Sequence, residues 1–119
     1  MRDAAAAVAD RFRDPEVTVH APSLLGVEVA GVLRGLVRAG DTTATRASVA
    51  LDDLDAADIA LHDPTPLLQR VWDLRDDLTT YDAVYVALAE VLDATLVTTD
   101  VRIAKAPGLR ARVDVVLAG

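Results

Sequence analysis

Hydrophobic and polar positions along this chain alternate between two periods, one near 3.6 and one near 2, and the switches mark the elements. Ala5, Val8 and Phe12 recur at helical spacing, which predicts a helix over residues 2–13 with those side chains on its buried face. Asp14-Pro15 breaks it, and residues 16–20 alternate as a short strand with Val17 and Val19 to one side. Ala21-Pro22-Ser23 opens a second helix, with Ser23 as N-cap, that runs to Arg38 and is closed by Gly40. Thr42 or Thr43 caps a third, whose Ala47, Ala50, Leu51 and Leu54 face inward. Residues 58–61 read as a second strand. Thr65-Pro66 is an N-cap and first-turn pair opening a helix with Leu67, Val71, Leu74 and Leu78 on one face. Trp72, beside Leu68, is assigned to the core.

The stretch LTTYDAVYVALAEVLDATLVTTDVR, residues 78–102, organises the rest. A helix is expected from Thr80 to about Asp93, with Tyr81, Tyr85, Leu88 and Leu92 as its core stripe. Residues 95–99 form a β-branched, apolar run too short for a helix, and so a buried strand. Residues 102–107 follow as a helical turn and 113–117 as a last buried strand. Helices alternating with short apolar strands predict one α/β domain over residues 1–119, a mostly parallel sheet covered on both faces.

A two-residue turn makes the helix and strand of residues 78–102 antiparallel. Asp82 to Asp93 climbs roughly 16 Å as helix, and Thr95 to Asp100 covers roughly 16 Å as strand. Asp82 and Asp100 are therefore expected to meet at the carboxyl edge of the sheet, where open α/β folds bind ligands. Each also has a local use, Asp82 in a capping box with Thr79 and Asp100 as N-cap of the next short helix. Glu28 is the third acid. On an ideal helix it projects between Leu24 at about −40° and Val32 at about +40°, inside the apolar stripe. A carboxylate there is costly to bury unless paired, hydrogen-bonded or bound to metal. Gly31 and Gly35 lie near the same line and are read as clearing space, although Glu28 at the stripe's margin would simply reach water.

Three carboxylates at one edge repel each other unless a cation sits among them. Oxygen-only ligands favour a hard divalent ion, Mg²⁺ or Mn²⁺. Such a site activates water and stabilises charge on a phosphodiester, which points to metal-dependent hydrolysis of a nucleic acid backbone. The remaining candidates are bland. His20 and His62 share no helix or strand, which suggests no metal pairing. Ser23 reads as a cap rather than a nucleophile. The run Asp52, Asp53, Asp55, Asp58 reads as a solvated face.

Composition narrows this further. With 119 residues there is room for one core, and 52% hydrophobic with 3% aromatic makes it a core of Ala, Val and Leu. No apolar run is long enough to span a membrane, and MRDAAAAVAD has aspartates where a signal peptide needs its apolar centre, so a cytoplasmic protein without membrane contact is expected. The absence of cysteine excludes disulfides, thiol catalysis and zinc–thiolate sites. At net charge −7 the whole surface repels nucleic acid, so cations must be focused locally. Lys105 is the only lysine; the other cations are arginines.

In APSLLGVEVAGVLRGLVRAG, LTTYDAVYVALAE and LVTTDVRIAKAPGL the chain resembles PIN-domain ribonucleases, specifically the VapC-type toxins of bacterial toxin–antitoxin pairs. The resemblance implies a three-layer sandwich with a parallel sheet, a Mg²⁺ or Mn²⁺ site, endonucleolytic RNA cleavage and inhibition by a VapB-type antitoxin. By motif position Glu28, Asp82 and Asp100 match three of the family's acids, and Thr98 a supporting polar position. One departure stands out. Members of the family open with a hydrophobic strand ending in aspartate, of the form DxSAL, at the centre of the sheet. Here Met1 leads straight into the first helix, and only 25 residues separate Asp3 from Glu28, too few to give Asp3 that role. The expectation is a PIN-like domain truncated at its amino end and lacking the usual central strand, which is poorly folded or forms a homodimer through the gap and cleaves RNA weakly or not at all. Two other readings compete: a catalytically impaired remnant that only binds antitoxin, and a receiver-type signalling domain with Lys105 as its one candidate lysine.

Overall fold

The computed structural model describes residues 12–115, and the expected helix over 2–13 lies almost wholly outside them. The elements are β1 (Val19–Pro22), α1 (Leu25–Arg38), α2 (Ala44–Ala56), β2 (Ile59–His62), a 3-10 turn (Thr65–Leu67) leading into α3 (Leu68–Asp73), α4 (Thr80–Leu92), β3 (Thr95–Thr98), α5 (Val101–Lys105) and β4 (Arg112–Val115). No helix among the described residues is long and apolar enough to cross a membrane.

Helix α4 is the hub, packing on α3, β1 and β3. Its start is set locally: the Thr79 hydroxyl accepts a hydrogen bond from the Asp82 backbone N–H at 3.2 Å. Its end is set by Asp93, left-handed at φ 50°. The one-sided stripe expected on it is corrected. Ala83, Val84, Val86, Ala87, Leu88 and Ala89 are all buried, whereas Tyr81 is 61% exposed. A helix enclosed by a helix on one side and strands on another buries most of its circumference. Small alanines and valines, rather than tyrosines, permit that close approach. Thr79→Ala is expected to cost about 1 kcal/mol, seen as a small downward shift in the thermal melt.

Both strand pairs are parallel. In β1–β2, Val19 lies opposite Ile59 and Pro22 opposite His62; in β3–β4, Thr95 lies opposite Arg112 and Thr98 opposite Val115. Pairing moves the expected limits. β1 begins at Val19 and runs through Pro22, and the Ser23 N–H continues the ladder to the His62 carbonyl at 2.8 Å. Ser23 is therefore not the cap of α1; Leu24 occupies that position with no side-chain bond. Among the described residues the sheets stay separate, β1–β2 and β3–β4. A cavity of about 310 Å³ is lined by residues of both β1 and β3, including Val19, Ala21, Leu96 and Val97, and by Leu88 and Ala89 of α4.

The α1 and α2 helices pack on each other. Thr43 caps α2 by accepting from the Arg46 N–H at 3.2 Å, but of its expected inward face only Ala47 is buried. None of the 14 residues of α1 is buried, and Val27 is 78% exposed. A side chain added at Gly31 or Gly35 would meet nothing within 4 Å, so these glycines face open space and clear none for Glu28. On α3, Leu67, Val71 and Leu74 face the core as expected. Thr65 does not cap it; its N–H and hydroxyl both donate to Asp63 Oδ1, at 2.9 and 2.8 Å. Trp72 is on the other side of α3, 63% exposed, with the Arg75 guanidinium 4.7 Å above its ring. Its assignment to the core is wrong because the stripe of residues 67, 71 and 74 already faces α4.

Candidate active site

Three chain segments end at one place. Thr98 is the last residue of β3, and Asp82 and Glu28 stand in the first turns of α4 and α1. The turn at Asp93 reverses the chain, so the start of α4 lies beside the end of β3, as the length argument requires. Glu28, Asp82 and Thr98 line a common cavity of about 410 Å³ with Tyr85. Its other walls are apolar, including Val32, Leu96 and Ile103.

Asp100 is not among the lining residues. Its backbone N–H donates to the Thr98 hydroxyl at 3.1 Å, and its carboxylate caps α5 by accepting from the Arg102 N–H at 2.9 Å. The Arg102 guanidinium grips the same carboxylate, Nη2 to Oδ2 at 2.7 Å and Nε to Oδ1 at 3.0 Å. These bonds, the side-chain contact first and the backbone N–H second, hold the Asp100 carboxyl below the usual carboxylate range. Arg102 is in turn raised by Asp100 and, more weakly, by the charge of Asp82. Among the described residues, no three His, Asp or Glu side chains stand close enough together to hold one metal ion.

Two participants escape sequence reasoning. Tyr85, read there as plain core, donates its O–H to Glu28 Oε1 at 2.8 Å. Burial first, and the Glu28 carboxylate second, push its phenol well above the ordinary tyrosine range, so it stays a hydrogen-bond donor. The helical offset of three between Asp82 and Tyr85, which puts both on one side of α4, is the signal that could have found it. The second is a pair. His20 Nδ1 lies 2.9 Å from His62 Nε2, with ring centroids 5.1 Å apart. These histidines, which share no element, are brought together by the β1–β2 pairing, which no local pattern announces.

Comparison with known proteins adds an independent line. The family model described as PIN domain matches residues 1–109. Ribonuclease VapC1 of Mycobacterium tuberculosis is 41% identical over 98 residues, covering 82% of this chain and 74% of that protein. Ribonuclease VapC3 of the same organism is 38% identical over 96 residues, 81% of this chain and 70% of the relative. Ribonuclease VapC12 is 36% identical over 113 residues, 95% of this chain and 86% of the relative.

Proposed function

The chain belongs to the PIN-domain family, and from that premise we propose that it is a VapC-type endoribonuclease toxin, hydrolysing RNA phosphodiester bonds with Mg²⁺ or Mn²⁺ and restrained by a VapB-type antitoxin. The observation that carries the reading is the cavity at the ends of β3 and α4, where Glu28, Asp82 and Thr98 come together from three separate segments.

Every candidate ligand is oxygen, the donor type a hard divalent ion takes, although among the described residues no three of them yet stand together. Glu28, Asp82 and Asp100 are the residues that would hold it, with Thr98 supporting Asp100 through its hydroxyl. When bound, such an ion supplies charge stabilisation and an activated water at the phosphodiester. The protein's own groups do the rest. Tyr85 holds one oxygen of Glu28 and so orients that carboxylate. Arg102 must release Asp100, and its guanidinium, 86% exposed, then becomes a cation available to an RNA phosphate on an otherwise acidic surface. The apolar walls limit competing water.

For the antitoxin, the exposed Val27 and Val32 of α1 call for apolar residues, and the acidic cavity for an arginine. A homodimer is part of the same reading. The test is cleavage of RNA by purified chain after chelation and readdition of Mg²⁺. Metal-restored cleavage that falls sharply in Glu28→Gln is expected; cleavage that ignores both metal and Glu28 would sink the proposal. Mn²⁺ at about a hundred times its dissociation constant should also stabilise the fold by about 2.7 kcal/mol, less in Asp100→Asn. The competing reading is a catalytically impaired form that only binds antitoxin. It would show as antitoxin binding without cleavage.

A further inference from the structure

We infer that His20 and His62 form a second site, for a borderline divalent transition-metal ion such as Zn²⁺, apart from the acidic cavity. Neither histidine lines that cavity. In the parallel register His20 lies opposite Ala60 and His62 opposite Pro22, so the two rings stand one diagonal step apart on the same face of the β1–β2 pair. Their facing nitrogens are 2.9 Å apart, with ring planes inclined by 35°.

A neutral imidazole has one N–H and one lone pair, so this contact holds a single proton between two potential ligand nitrogens. Two imidazole nitrogens bound to one zinc at about 2.0–2.1 Å and a tetrahedral angle lie about 3.3 Å apart. The observed spacing is a few tenths of an ångström short of that. His20 is exposed and His62 half-buried, so both rings have room to turn outward and water can complete the coordination shell.

Thr18 supplies the outer partner. Its hydroxyl lies 3.1 Å from His20 Nε2. If His20 Nδ1 carries the shared proton, ligation moves the tautomer to Nε2–H, which then donates to the Thr18 oxygen. If His62 Nε2 carries it, His62 moves its proton to Nδ1 and His20 keeps its bond to Thr18. A hydroxyl donates or accepts equally well, so either route frees both facing lone pairs with no net loss of a proton. Sequence composition supports nitrogen as the donor here, since there is no thiolate in the chain to compete for zinc. An ion held in this way ties β1 to β2 beyond their four paired residues, beside the groove that Thr18 and His20 also line.

The experiment is a Zn²⁺ titration of the full chain with Mg²⁺ in excess to occupy oxygen ligands, read by calorimetry and by the histidine ring resonances. One equivalent should bind and shift both rings. His20→Asn and His62→Asn should each weaken binding at least about tenfold, and Thr18→Val by about tenfold, the usual cost of losing an outer partner. Glu28→Gln should leave the affinity unchanged. Circular dichroism checks that each variant folds. Should a histidine variant fail to fold, Thr18→Val and the wild-type ring shifts decide. The inference is overturned by no saturable binding, by binding that survives both histidine variants, by shifts in only one ring, or by loss of affinity in Glu28→Gln.

Discussion

Replacing Arg70 with alanine is expected to destabilise the protein by about 1–3 kcal/mol, the cost of leaving a half-buried carboxylate without its charged partner. Arg70 of α3 meets Glu90 of α4 through two bonds, Nε to Oε1 at 2.7 Å and Nη2 to Oε2 at 3.0 Å. The same Nη2 donates to the Gly108 carbonyl at 2.7 Å, and the Arg110 N–H donates to Glu90 Oε2 at 2.8 Å. Four groups thus tie α3, α4 and the approach to β4 together. Side-chain exposure is 19% for Arg70 and 9% for Glu90, so water cannot replace the lost partner well. For a fold whose whole stability is of order 5–15 kcal/mol, a loss of this size is severe.

The pH dependence separates charge from packing. Arg70 is the main cause of the depressed Glu90 pKa, with the Arg110 N–H adding to it. A carboxylate with a depressed folded pKa contributes its full stabilisation above the unfolded value, about 4.3, and loses it as pH falls through the folded value. In Arg70→Ala, Glu90 keeps the Arg110 N–H but loses the main cause of its depression, so acid costs the variant less than it costs the native pair. Urea melts near neutrality and below about pH 4 should show the gap between the two proteins narrowing. A gap of the same size at both pH values would assign the role of Arg70 to its packed aliphatic stem.

Asp82→Asn is expected to lower metal-dependent RNA cleavage by about 100-fold or more, comparable to removing one preorganised charge-stabilising group. Stability should change by less than about 1 kcal/mol. The Thr79 cap takes the backbone N–H of Asp82, which asparagine keeps, and the carboxylate loses its interaction with the helix dipole and a weaker one with Arg102. Cleavage kinetics and thermal melts measured side by side distinguish the two effects. Unchanged cleavage in a folded variant would take Asp82 out of the active site. A drop in cleavage that merely follows a drop in stability would make Asp82 a structural cap.

Much of this was legible in the chain itself. The caps at Thr43, Thr79 and Asp100 depend on bonds spanning two or three residues, and the reversal from α4 into β3 depends on one turn. From these alone Asp82 is brought to the end of β3, where Thr98 stands. Parallel strands and their order of alternation with helices follow from the same short-range pattern. Tertiary structure decided which faces those elements bury: Tyr81 and Trp72 are apolar at helical spacing yet exposed, because neighbours had already covered the other sides of α4 and α3. It also decided the strand limits, which belong to the pairing partner as much as to the strand. The contacts that most shape chemistry and stability join distant positions. Tyr85 and Glu28 are 57 residues apart, His20 and His62 are 42, and Arg70 and Glu90 are 20. Periodicity and capping act within about four residues and so can be read along the chain. A hydrogen bond between remote side chains depends on register and packing to within a few tenths of an ångström, and no local pattern encodes that.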